Sequence, residues 1–379
     1  MRALIDLTEF LTSPHRTGIQ RVCGELCRAW PARVEVTPVK ITRAFGMVAL
    51  PQETMDVMRS YFEAGDGRDR IADQIRLLSE AAESSPQAIS LGADDRLLVP
   101  EVFFNPGRML FYEHLEDSAR RQTFFIVFDI LPLTHPFFFT PEAPHEVISR
   151  YFRLTRLFEN VGFISEATRR VHNERYCRRA GVGIVLRLGS NSLIEHRPEP
   201  RICDSWTFST VGTIEPRKRH DVIMDALVPL LCREANLCLT IAGRMGWVGP
   251  TFENRVRSLP DQLQNFIWRE HCDDETIRKT LESSRATIFV SDAEGFGLPP
   301  VESLWQGVPV IASAAVPSLE SYGDLGIHRI DAVTPENVRR AVLAFLDDDY
   351  YRRKLEETRK LDLPTWSSFA NQVADWMTQ

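Results

Sequence analysis

Short β-branched and aromatic runs alternate with longer amphipathic runs along this chain, and the alternation occurs twice. A strand, helix, strand repeat closes most readily as a parallel sheet with helices on both faces. The pattern therefore predicts an α/β protein with two doubly wound parallel sheets. Strands are expected at residues 3–7, 34–41, 96–102, 123–130, 161–165 and 184–188 in the first half. In the second half they are expected at 207–213, 237–242, 265–269, 286–290, 308–312 and 327–330. Helical patterns fall between most of them, as at 219–233, 274–283 and 335–346.

A length of 379 residues agrees with two domains, because single cores stop growing at about 250–300 residues. The boundary is expected in the proline-marked stretch 195–201, where Pro198 and Pro200 break helix and strand. The domains are then residues 1–195 and 196–349, followed by a helical tail, 350–379, interrupted at Leu363 and Pro364 and expected to pack back on the first domain. A surface loop is expected over 80–95. Doubly wound sheets bind ligands at the carboxyl ends of their strands. If those edges face each other, the site lies in the cleft between the domains.

The net charge of -7 argues against a general nucleic-acid binder. No run reaches the ~18–20 apolar residues needed to span a bilayer, and no secretory leader pattern is visible, so the expected location is cytoplasmic. The seven cysteines, Cys23, Cys27, Cys177, Cys203, Cys232, Cys238 and Cys272, form no C-x-x-C pair and read as reduced thiols. The histidines show no ligand spacing, Asp347–Asp349 reads as a solvated turn, and no metal is inferred. No dinucleotide-binding or P-loop glycine pattern is present, and no cofactor is expected.

The strongest motif runs from Ser291 to Ser303, SDAEGFGLPPVES, after the apolar run Thr287-Ile-Phe-Val290. Gly295 and Gly297 permit a tight turn, and Pro299 suits the first turn of a helix. Such a start offers N–H donors and a positive dipole end to an anion. Glu294 and Glu302 flank it. Carboxylates beside an anion site make sense when they accept hydrogen bonds from hydroxyls, and a nucleotide sugar offers both a diphosphate and hydroxyls.

The second motif is Val211-Gly-Thr-Ile-Glu-Pro-Arg-Lys-Arg-His220. Arg217, Lys218 and Arg219 are cations at a helix start, against the dipole preference, and a bound polyanion would account for them. The alternative is a solvated basic turn. A third loop, Gly243-Arg-Met-Gly-Trp247, would let backbone approach a ligand at Gly243 and Gly246 or serve as simple turn chemistry.

In the first half, Gly18 lies in a loop where it would let a phosphate approach and Arg16 or Arg21 contact it, the alternative being an ordinary glycine of a strand-to-helix loop. Asp129, at the end of a buried run, is placed to orient a sugar hydroxyl, whereas His135 reads as structural. Arginines cluster at 150, 153, 156, 169, 170, 175, 178 and 179. The favoured reading is a solvated, ion-paired helical face. The alternative is attraction to an anionic membrane or a lipid diphosphate.

At these residues the chain resembles the retaining glycosyltransferases of family 4. The match is Glu294 to Glu302 as the E-x7-E motif, the Gly-Phe-Gly-Leu-Pro core and the Gly-Thr-Ile-Glu-Pro-Arg-Lys segment. Within the family the chain is most similar to bacterial polysaccharide and O-antigen mannosyltransferases, through Thr17-Gly-Ile-Gln-Arg-Val22, Phe128-Asp-Ile-Leu-Pro132, Ile164-Ser-Glu-Ala-Thr-Arg-Arg170 and Gly243-Arg-Met-Gly-Trp247. The resemblance implies the GT-B architecture, two Rossmann-like domains facing across a cleft, with the acceptor on the first and the nucleotide sugar on the second.

It also implies roles. Glu294 contacts the donor sugar and Glu302 the ribose. Lys218 holds the diphosphate, with Arg217 and the backbone around Gly295, Phe296, Gly297 and Leu298. Gly18 lies under the phosphates. Two positions depart from many relatives. Thr213 replaces an arginine whose charge Arg217 or Arg244 would supply, and Asp129 replaces a cleft histidine. The implied activity is metal-independent, retaining hexosyl transfer from a nucleotide diphosphate sugar, a GDP-sugar by resemblance, to a glycan or lipid-linked acceptor in surface polysaccharide synthesis. The alternatives are a UDP- or dTDP-sugar donor, or a non-catalytic nucleotide-sugar-binding subunit of a glycan-assembly complex.

Overall fold

Each of the twelve expected strand runs contributes a parallel strand, and Thr123–Val127 and Ala286–Phe289, inside the two sheets, are buried along their whole length. The computed structural model describes the chain except residues 16, 45, 64–67, 86, 140–144 and 177–181 and the side chains of residues 63 and 68. Arg16, Cys177, Arg178 and Arg179 thus lie outside the described residues. The chain divides into two compact units. One comprises Met1–Thr134, Pro141–Gly189 and Pro364–Gln379; the other comprises His135–Thr140 and Ser190–Leu363.

The first unit contains β1 (Arg2–Asp6), β2 (Glu35–Ile41), β3 (Met47–Ala49), β4 (Asp95–Val99), β5 (Thr123–Val127), β6 (Asn160–Phe163) and β7 (Ile184–Val185). They form a sheet in the order β3-β2-β1-β4-β5-β6-β7. The sheet is parallel except at its edge, where β3 runs antiparallel to β2, with Val39 opposite Ala49 and Ile41 opposite Met47. Three residues are too few to carry a readable alternation, so the sequence does not announce β3. The expected strand over 123–130 ends at Val127, its last paired residue, opposite Phe163. Asp129 therefore sits in the following turn, where its Oδ1 accepts from the Leu131 N–H at 3.1 Å.

A buried charge cluster lies at the carboxyl ends of β1 and β4. Asp6 accepts from Arg108 Nη2 at 2.7 Å and from the Tyr112 hydroxyl. Glu101 accepts from the same Nη2 at 3.1 Å and from the N–H groups of Glu9 and Phe10 at 2.7 and 2.8 Å. Buried ions persist only when paired and hydrogen-bonded, and these bonds tie the helix Thr8–Thr12 to the sheet. The helix Trp366–Trp376 belongs to this unit, and Trp376 meets Phe124 edge to face at 4.9 Å.

The second unit contains β8 (Trp206–Val211), β9 (Leu237–Ala242), β10 (Phe266–Arg269), β11 (Ala286–Phe289), β12 (Val310–Ser313) and β13 (Ile327–Ile330), ordered β10-β9-β8-β11-β12-β13. Every pairing in this sheet is parallel. β11 is buried along its whole length, as strands covered on both faces are. Phe208, Leu239, Ile241 and Ile288 meet helix residues such as Ile223, Leu227 and Val342 in the core. Strand order reverses at β8, which lies between β9 and β11. Ligands of doubly wound sheets bind at such a reversal.

Candidate active site

The two loops that leave β8 and β11 carry the two strongest motifs. They lie side by side because their strands pair, Ala286 opposite Phe208 and Thr287 opposite Ser209. Backbone and side chains then lace them together. The Asp292 N–H donates to the Arg217 carbonyl at 2.7 Å, and Arg219 Nη1 donates to Asp292 Oδ2 at 2.9 Å.

Beyond β11 the chain turns into the helix Leu298–Trp305 with Gly297 as N-cap at φ 91°. A Cβ there would stand 2.9 Å from Val316 Cγ1, besides the cost of the left-handed backbone. No side chain caps this helix. Pro299 and Pro300 in its first turn have no N–H, so Gly297 and Leu298 supply the donors at its start. Phe296 is half-buried, and its carbonyl accepts from the Ser318 N–H at 2.9 Å.

Glu294 is clamped. Ser291 Oγ donates to its Oε1 at 2.8 Å, and Arg217 pairs with its Oε2. Burial alone would raise its carboxyl. The charges of Arg217 and Lys218, with hydrogen bonds from Arg217 and Ser291, outweigh that and hold it below the usual range. Arg217 is itself shared. Its Nη2 lies 2.6 Å from Glu215 Oε1, and its Nη1 donates to the Ala293 carbonyl at 3.0 Å. Glu215 is buried.

Lys218 is different. It is half-buried, yet its ammonium makes no ion pair or hydrogen bond with any other described residue. It lies over Gly212, whose φ is 135°, and a Cβ on that glycine would fall 2.3 Å from Lys218 Nζ. Gly243 closes under the same turn, and a Cβ there would fall 2.0 Å from the Gly212 carbonyl oxygen. Thr213 and Arg244 lie on these paired loops, where the Ile214 N–H donates to the Arg244 carbonyl at 2.9 Å and the Arg244 side chain is exposed. His220, two residues after Lys218, is buried with both ring nitrogens unpartnered among the described residues. Burial first, then the Lys218 charge, lowers its pKa to about 3.

Glu302 is buried in the helix after Gly297, and Ser192 Oγ donates to its Oε1 at 2.7 Å. Arg217, Lys218, Glu294, Gly295, Phe296, Gly297 and Leu298 thus gather at the ends of β8 and β11, with Thr213 and Arg244 on the adjoining loop. Gly18 and Asp129 belong to the other unit. Gly18 opens the helix Gly18–Arg28, and a Cβ there would meet nothing within 4 Å, so the fold itself does not require a glycine. In the arginine-rich segment Arg150 pairs with Glu113 and Arg169 with Glu166, while Arg153 and Arg156 are exposed. Sequence reasoning missed Glu215, Ser291 and Ser192. Glu215 and Ser291 stand inside the two motifs, at i−2 from Arg217 and i−3 from Glu294, and that spacing was the available signal. Ser192 is distant in sequence and gave none.

The family model for glycosyl transferases group 1 matches residues 194–362. Those residues form a glycosyltransferase group 1 domain. The group 1 domain contains all the second-unit positions above except Ser192. Among similar proteins, the serotype-specific mannosyltransferase WbdA of Escherichia coli is 37% identical over 105 residues, 28% of this chain and 13% of WbdA. The O-antigen chain mannosyltransferase B of Escherichia coli is 29% identical over 149 residues, 38% of this chain and 37% of that protein. The chain therefore matches well under half the length of these relatives. Among solved structures, Anabaena Alr3699/HepE in complex with UDP-glucose gives a TM-score of 0.67 at 13% identity, covering 100% of this chain and 99% of that one. TarM gives 0.60 at 14% identity, covering 76% and 55%. At such identities the likeness is one of fold, and with the two Rossmann-like sheets it assigns the chain to the GT-B class.

Proposed function

We propose that this protein is a retaining glycosyltransferase. It moves a hexose, mannose in the first instance, from a nucleotide diphosphate sugar to a glycan or lipid-linked glycan in surface polysaccharide synthesis, without a metal ion. The observation that carries the reading is the Lys218 ammonium, unpaired among the described residues, beside the clamped, ionised Glu294, at the strand-order reversal of the group 1 domain. A half-buried cation with no partner among the described residues is suited to an anionic ligand. The mannose assignment is supported by the names of the two Escherichia coli relatives.

In this reading the bond between the anomeric carbon and the diphosphate oxygen breaks, and charge collects on the leaving group. Lys218 and the Gly297 and Leu298 N–H groups meet that charge with donors fixed beforehand, the arrangement that lowers a barrier most. The acceptor hydroxyl attacks the same face of the anomeric carbon, and its proton passes to the departing phosphate oxygen. Glu294 accepts from a sugar hydroxyl and Glu302 from the ribose. The expected location is the cytoplasm, and co-sedimentation with anionic vesicles at low salt decides whether the exposed Arg153 and Arg156 meet lipid or water.

Thermal-shift titration with GDP, UDP, dTDP, ADP and CMP without metal tests the reading, since a ligand of the native state raises stability by RT ln(1 + [L]/Kd). A selective GDP shift, followed by transfer from GDP-mannose with an α-anomeric product, is the expected result. A UDP or dTDP shift removes mannose but keeps the glycosyltransferase. No shift with any nucleotide overturns the reading.

A further inference from the structure

We propose that Phe137 and Trp247 present an aromatic platform that binds pyranose rings of the glycan acceptor. The choice of occupant rests on the glycosyltransferase reading; the platform does not. Phe137 is 72% exposed and Trp247 38% exposed. Large aromatic side chains left in water at one place mark a binding surface more often than a folding accident. This patch is also built. The segment Pro136–Phe138 belongs to the second unit, and Trp247 Nε1 donates to the Phe138 carbonyl at 2.6 Å. That bond occupies the indole's polar handle and leaves its ring for contact. Phe139 stacks on Trp247 with centroids 6.3 Å apart and an interplanar angle of 28°, and Phe137 tilts on Phe138 at 4.4 Å.

The platform joins the candidate active site through backbone. Trp247 ends the loop whose Gly246 N–H donates to the Ile214 carbonyl at 3.0 Å, two residues from Gly212 and the Lys218 ammonium over it. A sugar on these rings therefore lies on the loop that adjoins the reacting end of the site. Charge selects the occupant. Residues 135–139 and 243–249 contain no acidic side chain and one arginine, Arg244. A lipid surface calls for clusters of 4–8 basic residues, whereas a neutral polyol needs apolar faces for its C–H groups and a few polar groups at the rim. His135 and the exposed Arg244 supply those.

The test uses the full-length protein without nucleotide, with α-mannotriose and maltotriose as probes, read by tryptophan fluorescence and ligand-observed NMR. Saturable binding of a trisaccharide is expected, at least tenfold weaker in Phe137→Ala and Trp247→Ala and retained in Phe137→Trp. The GDP thermal shift stays unchanged in both Phe137 variants. Phe137 is exposed, so its truncation leaves the fold intact even if the Trp247 loop collapses. The proposal is overturned if neither trisaccharide binds, if binding ignores both truncations, or if Phe137→Ala instead abolishes co-sedimentation with phosphatidylglycerol vesicles. A wild-type protein that binds trisaccharide but no nucleotide would sink the glycosyltransferase reading and leave the platform standing.

Discussion

Arg217 and Glu294 form an ion pair whose cation is also held by Glu215. The sequence places three cations side by side at 217–219 and treats them alike as candidates for a diphosphate. The fold separates them. Arg219 pairs with Asp221 and Asp292, Arg217 is committed to two carboxylates, and Lys218 alone of the three lacks an acidic partner among the described residues. Arg217 is thereby a positioning group for Glu294, and Lys218 the cation open to a ligand.

Replacing Arg217 by methionine leaves Glu215 and Glu294 without their shared counter-charge in a mostly buried site. Breaking a buried pair on one side costs about 3–5 kcal/mol. Urea unfolding should show a loss near the lower end of that range, since Ser291 still holds Glu294. A change under about 0.5 kcal/mol, the scale of an ordinary surface substitution, would mean that the pair does not hold the two loops.

Replacing Lys218 by alanine should leave stability within about 0.5 kcal/mol, because no partner is orphaned. Turnover should fall by about 10²–10³, the loss seen when one preorganised donor to a developing charge is removed. Donor KM should change much less. Transfer kinetics on the purified variant decide it: unchanged turnover would remove Lys218 from the reaction.

Much of this was readable beforehand, for a physical reason. Strands buried on both faces need continuous apolar runs, so Thr287-Ile-Phe-Val290 and its counterparts announced the sheets. Turns that need unusual backbone need glycine, so Gly297 marked the loop after β11. What stayed hidden depends on pairing between distant segments. Met47–Ala49 is a strand only because β2 offers an open edge. The Ser192 bond to Glu302 spans 110 residues. The different fates of Arg217 and Lys218 come from which way each side chain leaves one short turn, and side-chain direction is not written in a run of like charges.

Glu101 should make the first unit less stable as pH rises. Burial, then the opposing charge of Arg108 and the like charge of Asp6, leave its carboxyl at about 7 in the fold, against about 4.3 in an unfolded chain. The folded state binds more protons between those values, so its stabilising contribution is full below the unfolded value and lost as pH climbs through 7. Each pH unit within the window costs about 1.4 kcal/mol. Denaturant unfolding from pH 4.5 to 7.5 should show the stability of the wild type, measured against Glu101→Gln, falling by about 1.4 kcal/mol per pH unit. Parallel slopes in the two proteins would assign the titration to another group.

His220 acts in the opposite direction. Its ring is buried without a partner, and its pKa falls to about 3 in the fold, against about 6.5 unfolded. The unfolded chain therefore binds the extra proton first. The stabilising contribution is full above 6.5 and lost as pH falls toward 3, again at about 1.4 kcal/mol per unit. His220→Leu removes both the titration and two unsatisfied nitrogens, each such group carrying a penalty of about 1–3 kcal/mol. The variant should match or exceed the wild type in stability at pH 7 and outlast it by about 2 kcal/mol more at pH 5. Acid unfolding monitored by near-ultraviolet circular dichroism gives the comparison. A variant that is less stable at pH 7 and equally acid-sensitive would show that the imidazole is satisfied in the native protein.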